Sequence, residues 1–325
     1  MEIIIGISRL AKPFLNPVVT LGNFDGVHLG HQRIFQKVKE EARKIHGEGV
    51  VITFEPHPLK ILSPESFLPL LTSFEKKMLL IEQSGIDKVL CIEFSSAFSE
   101  ISPSEFVTDI LARKVGAKTI IVGYNYHFGK GKGGNVEILK GICRPLSIKV
   151  QVMEALTVDR MIVSSSRIRE LIIAGDVERA SKLLGRDHLI IGRVIEGSKR
   201  GHALGFPTAN VEISDALYPK IGVYAVEVIW RHQSLRGLAN VGFNPTFAPT
   251  QGAKQEGFSL EVHLLDFNQD IYGDKIQVNF KKRIRDEIRF KSPSDLIDRI
   301  RKDIEWAEDN VFNRSTPPAK TIPFL

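Results

Sequence analysis

Val18-Val19-Thr20-Leu21-Gly22-Asn23-Phe24-Asp25-Gly26-Val27-His28-Leu29-Gly30-His31 sets an apolar run before a glycine-rich turn, and Ile34, Val38, Ala42 and Ile45 follow at helical spacing. This is a strand, a turn and a helix start. His28 and His31, with Gly30 between them, share one face of the first helical turn, where unpaired backbone N–H groups attract phosphate. The turn predicts nucleotide phosphate handling, with Gly22, Phe24, Asp25 and Gly30 among the nucleotide- or phosphate-binding positions. Asp25 either acts as a base or holds the turn.

Outward from this stretch, short apolar runs alternate with helical patterns as far as residue 185. The runs are Val50 to Phe54, Lys88 to Ile92, Lys118 to Val122 and Ile148 to Val152. They predict a parallel sheet covered by helices, Ser73 to Gln83 and Pro103 to Val115 among them, with ligands beyond the carboxyl ends of the strands. After Arg186 the strands lose their intervening helices: Leu189 to Ile195, Val223 to Trp230, Leu235 to Val241, Phe258 to Leu265 and Lys275 to Phe280. An antiparallel barrel is expected there. Ser292-Pro293-Ser294-Asp295 then starts a final amphipathic helix, and a mobile tail is expected from Asn313. The domain expectation is 1–185 and 186–325.

The chain has 325 residues and a net charge of +6, enough length for about two domains. Polyanionic ligands are favoured, and small phosphorylated ones suit the modest excess; no long Lys/Arg block argues for nucleic acid. Cys91 and Cys143 form neither a metal spacing nor a disulfide framework. No apolar stretch approaches a membrane span, and Glu2 to Ile7 is too short for a signal-peptide core. A soluble, cytoplasmic protein is expected, with no membrane partner and self-association left open.

Two further strings carry phosphate chemistry. Ser164-Ser165-Ser166-Arg167-Ile168-Arg169 puts three hydroxyls before a helix whose first turn carries two arginines. Together with the histidines these donors suit a nucleophile that is already an anion, such as a phosphate attacking the α-phosphorus of ATP. Positioning and charge stabilisation, with magnesium, would then carry catalysis. In Gly205-Phe206-Pro207-Thr208-Ala209-Asn210, extended backbone puts Thr208 and Asn210 on one face, either as neutral oxygen ligands for a magnesium nucleotide or as part of an ordinary proline-containing strand entry. Glu261 shares a strand face with Ser259 and His263, opposite Leu260, Val262 and Leu264. It is either a base for a hydroxyl nucleophile or a surface carboxylate. Gly129 to Asn135 lacks the Walker spacing and is expected to be a flexible basic turn. His57, between two prolines, either stiffens a turn or touches substrate.

Four segments, His28-Leu-Gly-His31, Thr53-Phe-Glu-Pro-His-Pro58, Val122 to Lys130 and Ser164 to Arg169, resemble in order the adenylyltransferase module of prokaryotic bifunctional riboflavin kinase/FAD synthetases. Gly205 to Asn210, Gly222 to Val226, Asn240 to Phe247, Glu261 to Phe267 and Arg285 to Phe290 resemble the riboflavin kinase module of the same family. The resemblance implies a Rossmann-like α/β nucleotidyltransferase domain followed by a six-stranded antiparallel β-barrel with a C-terminal helix. It implies ATP, riboflavin and FMN as substrates, with Mg2+. His28, His31, Ser165, Ser166 and Arg169 would then serve ATP phosphates, and Asn125 the nucleotide or flavin pocket. Gly201, Thr208 and Asn210 would serve magnesium ATP, Glu261 would be the base, and Arg285, Glu287 and Phe290 would flank flavin. Departures stand at Asn125, Tyr126, His127 and Ser166, where the family often has Asp, Phe, Arg and Thr, and at His202, where arginine is common. The alternative is an adenylyltransferase whose barrel only binds flavin; a flavin-responsive nucleic-acid regulator is a third reading, with no recognisable module behind it.

Overall fold

A computed structural model describes residues 1–65, 69–197, 204–212, 217–243 and 258–313. The chain divides into two compact units, Met1–Leu68 with Thr72–Ser164, and Pro69–Leu71 with Ser165–Leu325.

The first unit is a six-stranded sheet: β1 (Glu2–Ile5), β2 (Val18–Leu21), β3 (Gly49–Glu55), β4 (Lys88–Glu93), β5 (Thr119–Gly123) and β6 (Lys149–Met153). Its order is β1-β4-β3-β2-β5-β6, and every pairing is parallel. Every residue of β2 is buried, as a central strand covered on both faces requires. The sequence pattern missed β1, a four-residue edge strand beside β4.

The helices of this unit are α1 (Leu29–Lys44), α2 (Pro58–Leu62), α3 (Phe74–Gln83), α4 (Ser96–Ser99), α5 (Pro103–Glu105) and α6 (Val136–Cys143). α5 starts in a capping box between Ser102 and Glu105 and leads into π-type turns over Phe106–Val115. α1 buries Phe35, Val38 and Ala42. Val38 and Ala42 hold the expected stripe, while Phe35, packed edge-on against Phe24 at 5.0 Å, is buried in place of Ile34, and Ile45 is exposed. The Gly129 to Asn135 segment is a turn in which Lys130 pairs with Glu100 at 2.7 Å, and Asn135 caps α6. A short hairpin, β7 (Thr157–Val158) and β8 (Met161–Ile162), follows β6.

In the second unit, α7 (Ser165–Ile173) and α8 (Val177–Leu184) precede a closed barrel. Its strands are β9 (His188–Ile195), β10 (Ala209–Val211), β11 (Gly222–Trp230), β12 (Gln233–Phe243), β13 (Phe258–Leu264) and β14 (Lys275–Arg285), in the order β10-β13-β12-β11-β14-β9. Leu260, Val262 and Leu264 point inward and join Tyr224, Val226, Trp230, Val278 and Phe280 in the core. The short strand β10 completes the six, pairing with β9 and β13. α9 (Pro293–Ala307) starts where Ser292 Oγ accepts the Asp295 N–H, and it lays Ile304 and Ala307 over Ala225 and Leu238 outside the barrel. The tail beyond residue 313 lies outside the described residues. Among the described residues no helix is long and apolar enough to cross a membrane.

Candidate active sites

Sheet order decides where the first site forms. From β2 the chain adds β3 and β4 on one side, then returns to place β5 and β6 on the other, so β2 and β5 flank a topological switch point. Gly22 to His31 leaves the carboxyl end of β2 at that point. A Cβ on Gly22 would lie 3.1 Å from the Phe24 ring; glycine lets that ring fold inward, where it is buried and meets His31 edge-on at 5.1 Å. Phe24 and Val27 both adopt positive φ, 50° and 39°, a strained choice for non-glycine residues and most of all for β-branched valine.

Asp25 is buried beneath the turn. Its Oδ1 accepts from the Thr72 N–H at 3.1 Å and the Thr72 hydroxyl at 3.3 Å, while Thr72 Oγ1 accepts the Gly26 N–H at 3.1 Å. Of the two roles left open by sequence, holding the turn is the one these bonds perform.

His28 caps α1, its Nδ1 accepting the His31 N–H at 3.3 Å. An engaged Nδ1 lone pair leaves the proton on Nε2, so the capping bond also fixes which ring atom donates. The His28 and His31 rings stack with centroids 3.5 Å apart. Gly30 permits this, since a Cβ there would meet the His28 ring at 3.2 Å and Val163 O at 3.8 Å. The same approach brings the Val163–Ser164 link beside the start of α1.

Asn125 is exposed just past the carboxyl end of β5, and its carbonyl accepts a hydrogen bond from His127 Nδ1 at 2.9 Å. A cavity of about 410 Å³ opens beside its neighbours Tyr124, Tyr126 and His127. Burial pushes the Tyr126 hydroxyl above the ordinary tyrosine range. His57 caps α2 by accepting the Leu59 N–H at 3.2 Å. Ser165 and Ser166 open α7 in the second unit, where Arg169 Nε donates to Pro69 O at 2.9 Å.

The barrel's site is built by strand register. Asn210 on β10 pairs with Glu261 on β13, which pairs with Asn240 on β12, and Asn240 in turn with Val223 on β11. Residues in one row across adjacent strands share a face, and the neighbours of these side chains fill the core. Asn210, Glu261 and Asn240 therefore form one polar row on the outer wall. Gly197 presses against it: a Cβ there would fall 2.0 Å from Asn210 Nδ2. His263 Nδ1 donates to Pro207 O at 2.8 Å, and its ring meets Phe206 edge-on. Thr208 follows directly from that strapped segment.

Asn240 Nδ2 donates to Glu287 Oε1 at 3.3 Å, and a Cβ on Gly242 would crowd Glu287, Asn240 and Ser259 together. Arg285 is held by several polar contacts. Its Nε and Nη2 lie 2.8 and 2.7 Å from Oδ2 of Asp303, which is 2 % exposed, and its Nη1 donates to Asp286 O. The guanidinium also lies 5.9 Å from the Phe290 ring centroid. Arg285 thus anchors the end of β14 to α9, while Glu287 faces the polar row. Gly201, His202 and Asn244 to Phe247 lie outside the described residues. Asn240, Thr72 and His263 carried no functional assignment from sequence. Strand alternation could have found His263 and Asn240; nothing local marks Thr72.

The two units correspond to two family models: FAD synthetase over residues 12–167 and riboflavin kinase over residues 184–311. A crystal structure of a protein named as a macrolide-efflux protein from Streptococcus pneumoniae aligns over 95 % of this chain and 99 % of its own, with 32 % identity and a TM-score of 0.85. The bifunctional riboflavin kinase/FMN adenylyltransferase of Buchnera aphidicola (subspecies Schizaphis graminum) is 38 % identical over 94 % of this chain and 97 % of its own length. Its counterpart in Escherichia coli K12 is 36 % identical over 98 % of this chain and 100 % of its own. Both modules, in this order and over nearly the full length, are shared with these relatives, so the chain belongs to the bifunctional riboflavin kinase/FMN adenylyltransferase family.

Proposed function

We propose that the barrel phosphorylates riboflavin to FMN and that the α/β unit joins FMN to the adenylyl group of ATP, giving FAD and pyrophosphate. The observation that carries this division is that each unit gathers its own polar set: the histidine stack at the sheet's switch point and the Asn210–Glu261–Asn240 row on the barrel. The kinase domain in this reading is 186–325 and the adenylyltransferase domain 1–185.

In the barrel, the Glu261 carboxylate takes the proton of the ribityl hydroxyl as that oxygen bonds to the γ-phosphorus and ADP leaves. Thr208 and Asn210 offer neutral oxygens to magnesium ATP, whose phosphates bring the negative charge that a hard cation requires. That donor chemistry fits an ion carried in with the nucleotide. When bound, magnesium neutralises charge on the phosphates. Gly201 retains its sequence-based place on the phosphate side. Arg285, Glu287 and Phe290 border the flavin, with the Arg285 side chain held in place by Asp303.

In the α/β unit, a phosphate oxygen of FMN bonds to the α-phosphorus of ATP while the bond to pyrophosphate breaks. His28 donates from Nε2 to the phosphate oxygens, His31 lies stacked beside it, and Ser164 serves the same anion. Gly22 and Gly30 give the turn its close approach, and Phe24 and Asp25 hold it from within. Asn125 borders the nucleotide or flavin at the end of β5. For Ser165, Ser166 and Arg169 the sequence pattern alone supports a phosphate-binding role.

Incubation with riboflavin and magnesium ATP, followed by separation of the flavins, should yield FMN and then FAD. Glu261→Gln should lower riboflavin phosphorylation by about 10²- to 10⁴-fold, the usual worth of a general base, and spare adenylylation of added FMN. His28→Ala should do the reverse. Loss of both activities from either folded variant would sink the two-site assignment.

A further inference from the structure

Lys77, on α3, is 6 % exposed, and its ammonium is buried beneath the phosphate turn. It lies 3.5 Å from Asn23 O, 3.3 Å from Thr53 Oγ1 and 3.3 Å from Phe54 O. Thr53 Oγ1 itself donates to Asn23 O at 3.3 Å. The Asn23 carbonyl is therefore gripped twice, by a cation and by a hydroxyl that the same cation orients. All three acceptors belong to the turn or to the carboxyl end of β3, the strand beside it.

A buried ammonium is costly, and an apolar side chain of similar length would fill this space without that penalty. What methionine would not supply is the bond to Asn23 O. A trans peptide is planar, so a carbonyl aimed at Lys77 turns the Phe24 N–H to the opposite side. Phe24 is the residue held at φ 50°. Thr72 restrains the turn further on, at Asp25 and Gly26, and Gln32 Nε2 restrains it at Val27 O, 2.9 Å away. Lys77 is the charged member of this set.

We propose that Lys77 is a positioning residue for adenylyl transfer, its ammonium fixing the Asn23–Phe24 peptide and with it the geometry of the phosphate turn. This rests on the reading of that turn as the ATP phosphate site. Burial pushes the Lys77 ammonium below the ordinary lysine value, opposed by the negative charge of Glu55, by the Cys91 thiol once it ionises, which burial delays to about 11, and by Asp25. Charge on Lys77 is then lost as pH rises through a value below that of a free lysine. Arginine cannot lose its charge in this range.

The test uses the full chain with Lys77→Met and Lys77→Arg. FAD formation from added FMN and magnesium ATP is measured against pH, and riboflavin phosphorylation by the same samples reports the integrity of the other unit. Lys77→Met should lower kcat/KM for ATP in adenylylation by about 10- to 100-fold, the range for a displaced supporting contact, and leave riboflavin phosphorylation within about twofold. Wild-type adenylylation should fall on an alkaline limb that Lys77→Arg lacks. Lys77→Met adenylylation within about threefold of wild type, an alkaline limb shared by Lys77→Arg, or equal loss of both activities would overturn the assignment. Wild-type protein that makes FMN but no FAD would overturn instead the reading on which it rests.

Discussion

Replacing Thr72 by valine removes one hydroxyl from a side chain that is 5 % exposed and leaves its shape nearly unchanged. That hydroxyl accepts the Gly26 N–H and donates to Asp25 Oδ1; the backbone bond from Thr72 N–H to Asp25 survives. A hydrogen bond to a carboxylate contributes about 1.5–3 kcal/mol and a neutral one about 0.5–1.5 kcal/mol, so the substitution costs about 3 kcal/mol. The turn meanwhile holds Phe24 and Val27 in a backbone region that disfavours each of them by about 1–3 kcal/mol. The lost bonds are therefore comparable to the strain they restrain, and the turn should relax. A loss of about 3 kcal/mol in transition-state positioning corresponds to about a 100-fold fall in adenylylation of added FMN. Riboflavin phosphorylation in the same sample should stay within about twofold. Thr72→Ser keeps the hydroxyl and should restore most of the lost rate. Wild-type FAD formation by Thr72→Val, or a serine variant no better than valine, would refute the claim that these bonds hold the turn.

Asp303→Ala leaves Arg285 without its buried partner and should destabilise the second unit by about 3 kcal/mol. Both tryptophans, Trp230 and Trp306, lie in that unit, so tryptophan fluorescence during urea unfolding reports it; an unchanged midpoint would contradict the anchoring role. In the first unit, Lys44, Lys37 and Gln151 hold the Glu41 carboxyl at about 2 instead of the ordinary 4.5. A folded value below the unfolded one means stabilisation that is present above pH 4.5 and fades as pH falls toward 2. Glu41→Gln should accordingly be less stable than wild type near neutrality and converge with it across that window. A gap in thermal midpoint that stays constant from pH 7 to 2.5 would argue against the Glu41 contacts.

The strand, turn and helix start around Gly22 were legible because each depends on neighbours in sequence: an apolar run, glycines, and apolar residues at helical spacing. The alternation that turns Glu261 outward was legible for the same reason. The partners of these residues were not. Lys77 sits in a charged helix, Phe74-Glu75-Lys76-Lys77, where a lysine ordinarily faces water, and only the packing of α3 under the turn buries it. Arg285 carried a flavin-flanking expectation from resemblance alone, and the carboxylate that holds it, Asp303, lies a strand end and a helix away in the sequence. β10 is three residues long, too short for periodicity to register, yet it supplies Asn210 to the polar row.

These differences trace to how the two sites are made rigid. On the barrel, Asn210, Glu261 and Asn240 are placed by a hydrogen-bond ladder, and a one-residue slip would turn every one of them inward. Such a site is hard to loosen without unfolding the sheet, and substitutions near it should act mainly through the side chain removed. The phosphate turn is different. Its backbone is held away from its preferred conformation by side chains that need touch no substrate: Thr72, Gln32 and Lys77. Its geometry can therefore be weakened from outside, one bond at a time, while the sheet beneath stays folded. Substitutions outside the histidine pair should thus impair adenylyl transfer in a protein that still phosphorylates riboflavin, whereas few positions away from the polar row should produce the converse.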